Sequence, residues 1–188
     1  MQLRTAIPYW LEDQTNGLSS RFRRLLTGLW EDLLGLDKRL KELDAEIALI
    51  AETDPTAKRL QQLRGVGPMI ATAMVATVGS ATQFANGRQM AAALGLTPRQ
   101  NSSGGKERLL GISKRGNKYV RVQLIYGARA AMAHFVRQTT PTGEWVRRLV
   151  ARAHPNVVVV ALAAKLARIA WAVLRHRRSF DRQALLAA

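Results

Sequence analysis

The sequence predicts an all-α protein, and three observations carry that prediction. Apolar residues recur at helical spacing, most regularly at Leu26, Leu29, Leu33, Leu36, Leu40, Leu43, Ile47 and Ile50, where gaps of three and four alternate without a slip. Helix-starting punctuation recurs as well: Asp54-Pro55, Thr140-Pro141 and His154-Pro155 each place a proline where its missing N–H and fixed φ suit a first helical position. No segment shows convincing strand alternation, and there are no internal repeats or low-complexity tracts.

The elements follow in order. Residues 1–17, with Pro8, Tyr9, Trp10 and the polar turn ending at Gly17, read as no more than an ordered start. A long helix is expected from about Leu18 to Glu52, a heptad seam of some three and a half repeats flanked by Lys38, Arg39, Lys41 and Glu42. Gly28 and Gly35 each weaken it by about 1 kcal/mol relative to Ala, so packing must support it, either in a coiled coil between copies or against other parts of a protein. Asp54 caps a short helix to about Leu63. The stretch Arg64-Gly-Val-Gly-Pro68, with the apolar helix Met69 to Val78 behind it, has the pattern of a helix-hairpin-helix. In such a motif Gly65 and Gly67 permit the tight turn, and the next helix turns its free N–H groups toward a phosphate. A plain helix–helix turn fits the same residues.

Ser80 to Gln83 reads as a capping box, and Asn86 caps a helix from Arg88 to Leu94. A helix from Asn117 to about Val136 is basic on one face (Lys118, Arg121, Arg129) and apolar on the other. Thr140-Pro141 starts another helix ending near Ala153, and His154-Pro155 a last long one, Asn156 to about Arg175, with Trp171 expected in the core. The chain then ends in a basic tail and a final helical turn. The expected domains are residues 1–54, an N-terminal segment with the coiled-coil helix, and residues 55–188, a basic helical domain.

The charge balance narrows the function. Of 29 Lys and Arg and 13 Asp and Glu, 22 basic and only three acidic residues lie from Pro55 onward, a local net charge of +19 against −3 before it. Such an excess repels itself unless it faces a polyanion, and nucleic acid is the favoured partner, with an anionic membrane surface second. The chain contains no cysteine, which excludes disulfides and Cys-ligated metals. Nothing reads as a signal peptide. The most apolar run, Val157 to Ala164, is eight residues long, against roughly 20 needed to cross a bilayer. A cytoplasmic protein near the nucleoid, with no membrane partner, is the expectation.

Familiar active sites are poorly represented. His134, His154 and His176 have no ligand-spaced partners, and a GxSxG elbow is absent. Only Glu107, Glu144 and Asp181 remain as acids in the basic domain, too few to hold Mg²⁺ by themselves, so no metal site is expected in this chain. What stands out is Thr97 to Asn117, TPRQNSSGGKERLLGISKRGN. It contains two adjacent hydroxyls (Ser102, Ser103) and the pair Gly104-Gly105. Around them stand six cations (Arg99, Lys106, Arg108, Lys114, Arg115, Lys118) and one acid, Glu107. Glycines let a backbone approach a ligand, and cations at this density suit phosphate. A solvated surface loop has the same composition.

The block from Leu63 through Ala131, with LRGVGPMIATAMVATVG, ALGLTPRQNSSGGK and GISKRGNKYVR, resembles the C-terminal domain of insertion-sequence 110 (IS-110) family transposases. The resemblance is colinear over some 70 residues. It implies a DNA recombinase whose nucleophilic serine lies in this loop, at Ser103 on alignment, with Arg99 and Lys114 as phosphate-handling candidates. Gly65, Gly67, Arg99, Lys106, Arg108, Lys114, Arg115, Lys118 and Arg121 are the expected DNA contacts. The resemblance also implies an acidic RuvC-like domain that binds Mg²⁺ and completes the site, a guide RNA, and assembly through the coiled coil. That domain is not in this chain, which therefore reads as the C-terminal half of a transposase, with no cofactor of its own. A nucleic-acid-binding and oligomerisation fragment without catalytic activity is the alternative.

Overall fold

The computed structural model describes residues 3–102 and 108–177, and its contacts divide the chain into two compact units, residues 1–46 and 47–188. Among the described residues it is helical throughout, apart from one two-stranded hairpin, so the all-α expectation holds.

In the first unit, α1 (Leu3–Glu12) is tied by side chains to the first part of α2 (Ser20–Thr53, which runs on into the second unit), and Ala6 and Ile7 are buried. The order of residues 3–12 comes from α2. Arg23 donates to the carbonyls of Trp10 (2.8 Å), Leu11 (2.7 Å) and Asp13 (2.9 Å), the groups that a helix C-terminus leaves without partners. Arg4 and Asp37 form an ion pair nearer the other end of α1. The α2 helix starts two residues later than expected and ends one later.

The second unit is organised on α8 (Pro155–His176). It is touched by α3 (Pro55–Leu60), α5 (Gly87–Ala93), α6 (Lys118–Arg137) and α7 (Pro141–Val150), while α4 (Pro68–Val78) packs on α3 and α6. Val158, Val159, Leu162, Ala163, Leu166, Ala167, Ala170, Val173 and Leu174 of α8 are all buried. Each Val or Leu so placed contributes about 1.5–3 kcal/mol over an exposed position. Taken whole, α8 is long and apolar enough to cross a membrane, more so than the eight-residue run implied. Its apolar face is nonetheless spent on the core of this unit. Trp171 is half-buried rather than enclosed, and its indole N–H donates to the Phe84 carbonyl at 3.1 Å.

Local signals set most helix starts. Asp54 accepts from the Thr56 and Ala57 amides, Asn86 from Gln89, Asn117 from Val120, Thr140 from Gly143 and His154 from Asn156. The expected capping box at Ser80–Gln83 does not form. Ala81 takes a left-handed φ of 56°, and the Gln83 side chain turns back to the Val78 carbonyl at 3.0 Å, so these residues make a turn. The capping side chain sits six residues further on, at Asn86.

The strands β1 (Pro98–Gln100) and β2 (Leu109–Ile112) run antiparallel, pairing Pro98 with Ile112 and Gln100 with Leu109 around an irregularity. Neither strand was visible in the sequence. Three and four residues are too few to show alternation, and pairing with each other is what makes them strands.

Candidate nucleic-acid interface

The serine-containing segment is the connection between β1 and β2, and a backbone clamp fixes its two ends. The Asn101 amide donates to the Arg108 carbonyl at 2.9 Å, Ser113 to Thr97 at 2.9 Å, and Lys114 to Gly95 at 3.1 Å. Two glycines allow this approach. Gly95 and Gly116 have φ of 71° and 80°, and a Cβ on either would overlap backbone oxygen across the clamp, Arg115 O and Ala93 O respectively.

Arg121 completes the clamp. It is 7% exposed, and one guanidinium nitrogen donates to both Leu94 O and Arg115 O at 3.0 Å. Arg121, expected among the DNA contacts, is mostly buried and holds the base of the loop through this one nitrogen. Its place on the basic face of α6 was legible. That the chain folds back over it was not.

The other cations are placed differently. Arg99, Arg108, Lys114, Arg115 and Lys118 are all exposed. Among the described residues the ion pairs are Arg4–Asp37 and Arg148–Glu144, so these five face no described carboxylate. Lys114 holds a left-handed φ of 57°, a strained conformation for a non-glycine residue that the Gly95 hydrogen bond helps to hold. Ser102 accepts a hydrogen bond from the Arg108 amide at 3.3 Å, so its hydroxyl helps close the loop. Ser103, Gly104, Gly105, Lys106 and Glu107 lie outside the described residues.

Gly65 and Gly67, the other expected contacts, lie in the turn between α3 and α4. Gly65 has φ of 91°, and its backbone packs directly on that of Gly127 in α6, where a Cβ on either glycine would meet the other's carbonyl oxygen. Gly65 therefore serves a close helix–hairpin approach, while Gly67 is exposed with open space around it. Gly67 is the N-cap of α4 and offers no side-chain cap, and Pro68 follows at the first helical position. The start of α4 thus presents amide donors and a positive dipole end at the surface. Beside it, Arg64 lies 3.3 Å from His134 Nδ1, and the Gln138 amide nitrogen lies 2.6 Å from His134 Nε2.

A third feature was missed in the sequence. Between the hairpin, α5, α7 and α8 lies an open groove of about 810 Å³. Trp145 lines it, with Lys165 Nζ 5.1 Å from the indole ring centroid. Partial burial, and next the charge of Arg168, pull the Lys165 ammonium below its ordinary pKa. The lining residues come from four separate elements, so no local motif could reveal them.

Among the described residues no group of three His, Asp or Glu is placed to hold a metal, and Glu144 is exposed and paired with Arg148. These residues do not fit an Mg²⁺ site.

Residues 57–143 match the family described as Transposase IS116/IS110/IS902. Over 174 residues, 93% of the chain, the sequence is 40% identical to the transposase for insertion sequence element IS1111A of Coxiella burnetii. It is 45% identical over 83% of the chain to a probable family 20 transposase of Pseudomonas aeruginosa, and 39% identical over 85% to the transposase for insertion sequence element IS1328 of Yersinia enterocolitica. The chain covers 48%, 46% and 48% of those three proteins, about half the length of each. Matched through residues 57–143, and by these relatives over most of its length, the chain belongs to the IS116/IS110/IS902 transposase family.

Proposed function

We propose that this chain is the DNA-binding, serine-bearing part of a transposase, with Ser103 as the nucleophile of DNA strand transfer. The observation that carries the reading is the clamped hairpin. Its base is fixed by backbone hydrogen bonds and Arg121, and around the segment it closes stand five exposed cations with no described carboxylate opposite them. A phosphodiester attacked by a hydroxyl needs its nonbridging charge neutralised, and preorganised cations supply that without reorganising during the reaction. Arg99, Arg108, Lys114, Arg115 and Lys118, together with Lys106, take this role. The exposed amides at the start of α4, reached through Gly65 and Gly67, bind a second backbone phosphate without regard to sequence. Assembly would use α2, and a structured RNA would compete for the same cations. A bacterial protein working at the nucleoid fits these partners.

Removing the Ser103 proton and stabilising the leaving oxygen fall to groups beyond those described. The test therefore supplies the acidic domain of a full-length relative in trans, with a DNA junction from the cognate element. Ser103 should then become covalently linked to DNA, seen as a band of raised mass on a denaturing gel. Ser103→Ala should lose the adduct with duplex affinity within a few-fold, since one hydroxyl adds little among many cationic contacts. Ser102→Ala should keep it. An adduct surviving both replacements would remove this loop from the chemistry.

A second reading is a nucleic-acid-binding and self-associating protein without catalysis of its own. The exposed apolar face of α2 favours it, and an adduct would exclude it.

A further inference from the structure

We infer that the groove beside the clamped hairpin is a pocket for an unpaired DNA base, held while the adjacent loop engages the strand. The inference rests on the DNA-binding reading above. The groove's floor is apolar: Val157, Val160 and Ala161 of α8 face Leu110 and Gly111 of β2. Val157 is 58% and Leu110 37% exposed, so apolar surface is left uncovered beside the loop. The rim is of the opposite character. Arg88, Lys114 and Arg168 stand around the opening, and no acid lines it among the described residues.

An apolar floor under a purely cationic rim fits a ligand with a flat hydrophobic body and an attached anion, which is the chemistry of a nucleotide. Two further features favour a base over an aliphatic peptide. Trp145 gives the wall an indole, on which any base can stack. At the lip, the Asn156 side-chain oxygen accepts from Arg129 at 3.0 Å, which leaves the amide nitrogen as a donor for a base edge. The base must be unpaired, because a base within a duplex has both faces stacked on its neighbours. The occupant is DNA because β2, one wall of the groove, ends the segment that carries Ser103. Lys114 belongs both to the rim and to the clamp, so the same cation can serve the captured nucleotide and the phosphate next to it.

Fluorescence anisotropy on the full chain tests the assignment with three labelled probes: a perfect DNA duplex, the same duplex with one extrahelical adenine, and the RNA version of the bulged probe. The bulged DNA should bind about tenfold more tightly than the perfect duplex, the worth of one stacked base. Gly111→Leu should abolish that advantage and leave duplex affinity unchanged. Gly111 lines the groove and a Cβ there meets nothing within 4 Å, so this variant adds bulk at the lining without a clash at that atom. Trp145→Ala should lose the advantage too.

Equal affinity for bulged and perfect DNA, or a bulge preference that survives Gly111→Leu, would overturn the base pocket and leave the DNA-binding reading standing. Tighter binding of the bulged RNA than of the bulged DNA would overturn the choice of occupant. A Gly111-sensitive affinity for a synthetic acidic amphipathic helix, with no bulge preference, would reassign the groove to a protein partner. Failure to bind any of the three nucleic acids would overturn the DNA reading, and the pocket with it.

Discussion

The carbonyls of Leu94 and Arg115 share a single guanidinium nitrogen, that of Arg121, and the base of the serine loop hangs on this arrangement. Replacing Arg121 with Met keeps most of the buried stem and removes the donor. A buried acceptor left without its partner costs about 1–3 kcal/mol. Arg121→Met should lower the unfolding free energy by that amount, seen as a lower urea midpoint at unchanged m-value, with helical circular dichroism retained. Duplex affinity should fall with it, as the base of the loop loses its brace. An unchanged midpoint would show that the clamp holds without Arg121. The same scale separates the two serines: Ser102 is engaged by the Arg108 amide, which argues for a loop-closing rather than a chemical role.

At the scale of the element, α2 carries the clearest unspent surface. Its face toward α1 includes Arg23, Leu26, Trp30, Leu33 and Asp37, which are half-buried, while Leu29, Leu36, Leu40, Leu43 and Ile50 remain exposed, Leu29 at 67%. The exposed residues include a complete heptad position (29, 36, 43, 50), the row a partner helix would cover. Leu36→Asp and Leu43→Asp each place a charge in that row, and each should abolish any dimer that analytical ultracentrifugation detects for the wild type, with α2 still helical. A wild-type chain that sediments as a monomer at high concentration would remove self-association through α2. The unfavourable Gly28 and Gly35 meet open space, so only packing against a partner would repay their cost.

Across the whole molecule, the charge is segregated by sequence, and among the described residues the fold leaves it largely unpaired. The stretch from Pro55 carries +19, and within it the ion pair among described residues is Arg148–Glu144, exposed and worth little. Cations without carboxylate partners can neutralise phosphates and release their counterions. Duplex affinity should therefore fall steeply with salt, on the order of a thousandfold between about 50 and 200 mM for six phosphate contacts, with little dependence on sequence. Anisotropy titrations measure this directly, and a flat response would contradict a phosphate-contacting surface.

The sequence by itself determined the features that rest on short-range chemistry. Caps at Asp54, Asn86, Asn117 and Thr140 are written within three residues of the amides they satisfy, and the heptads of α2 need only helical periodicity. The charge split, the loop's composition and the family resemblance are likewise linear properties. Tertiary structure alone decided the rest. It made Arg121 a brace for the loop's base, because the carbonyls it serves belong to positions 94 and 115. It made strands of seven residues that have no strand pattern alone, ordered α1 through Arg23, and assembled the groove from the hairpin, α5, α7 and α8. A contact between residues far apart in the chain leaves no local pattern, so no reading of neighbours could have placed it.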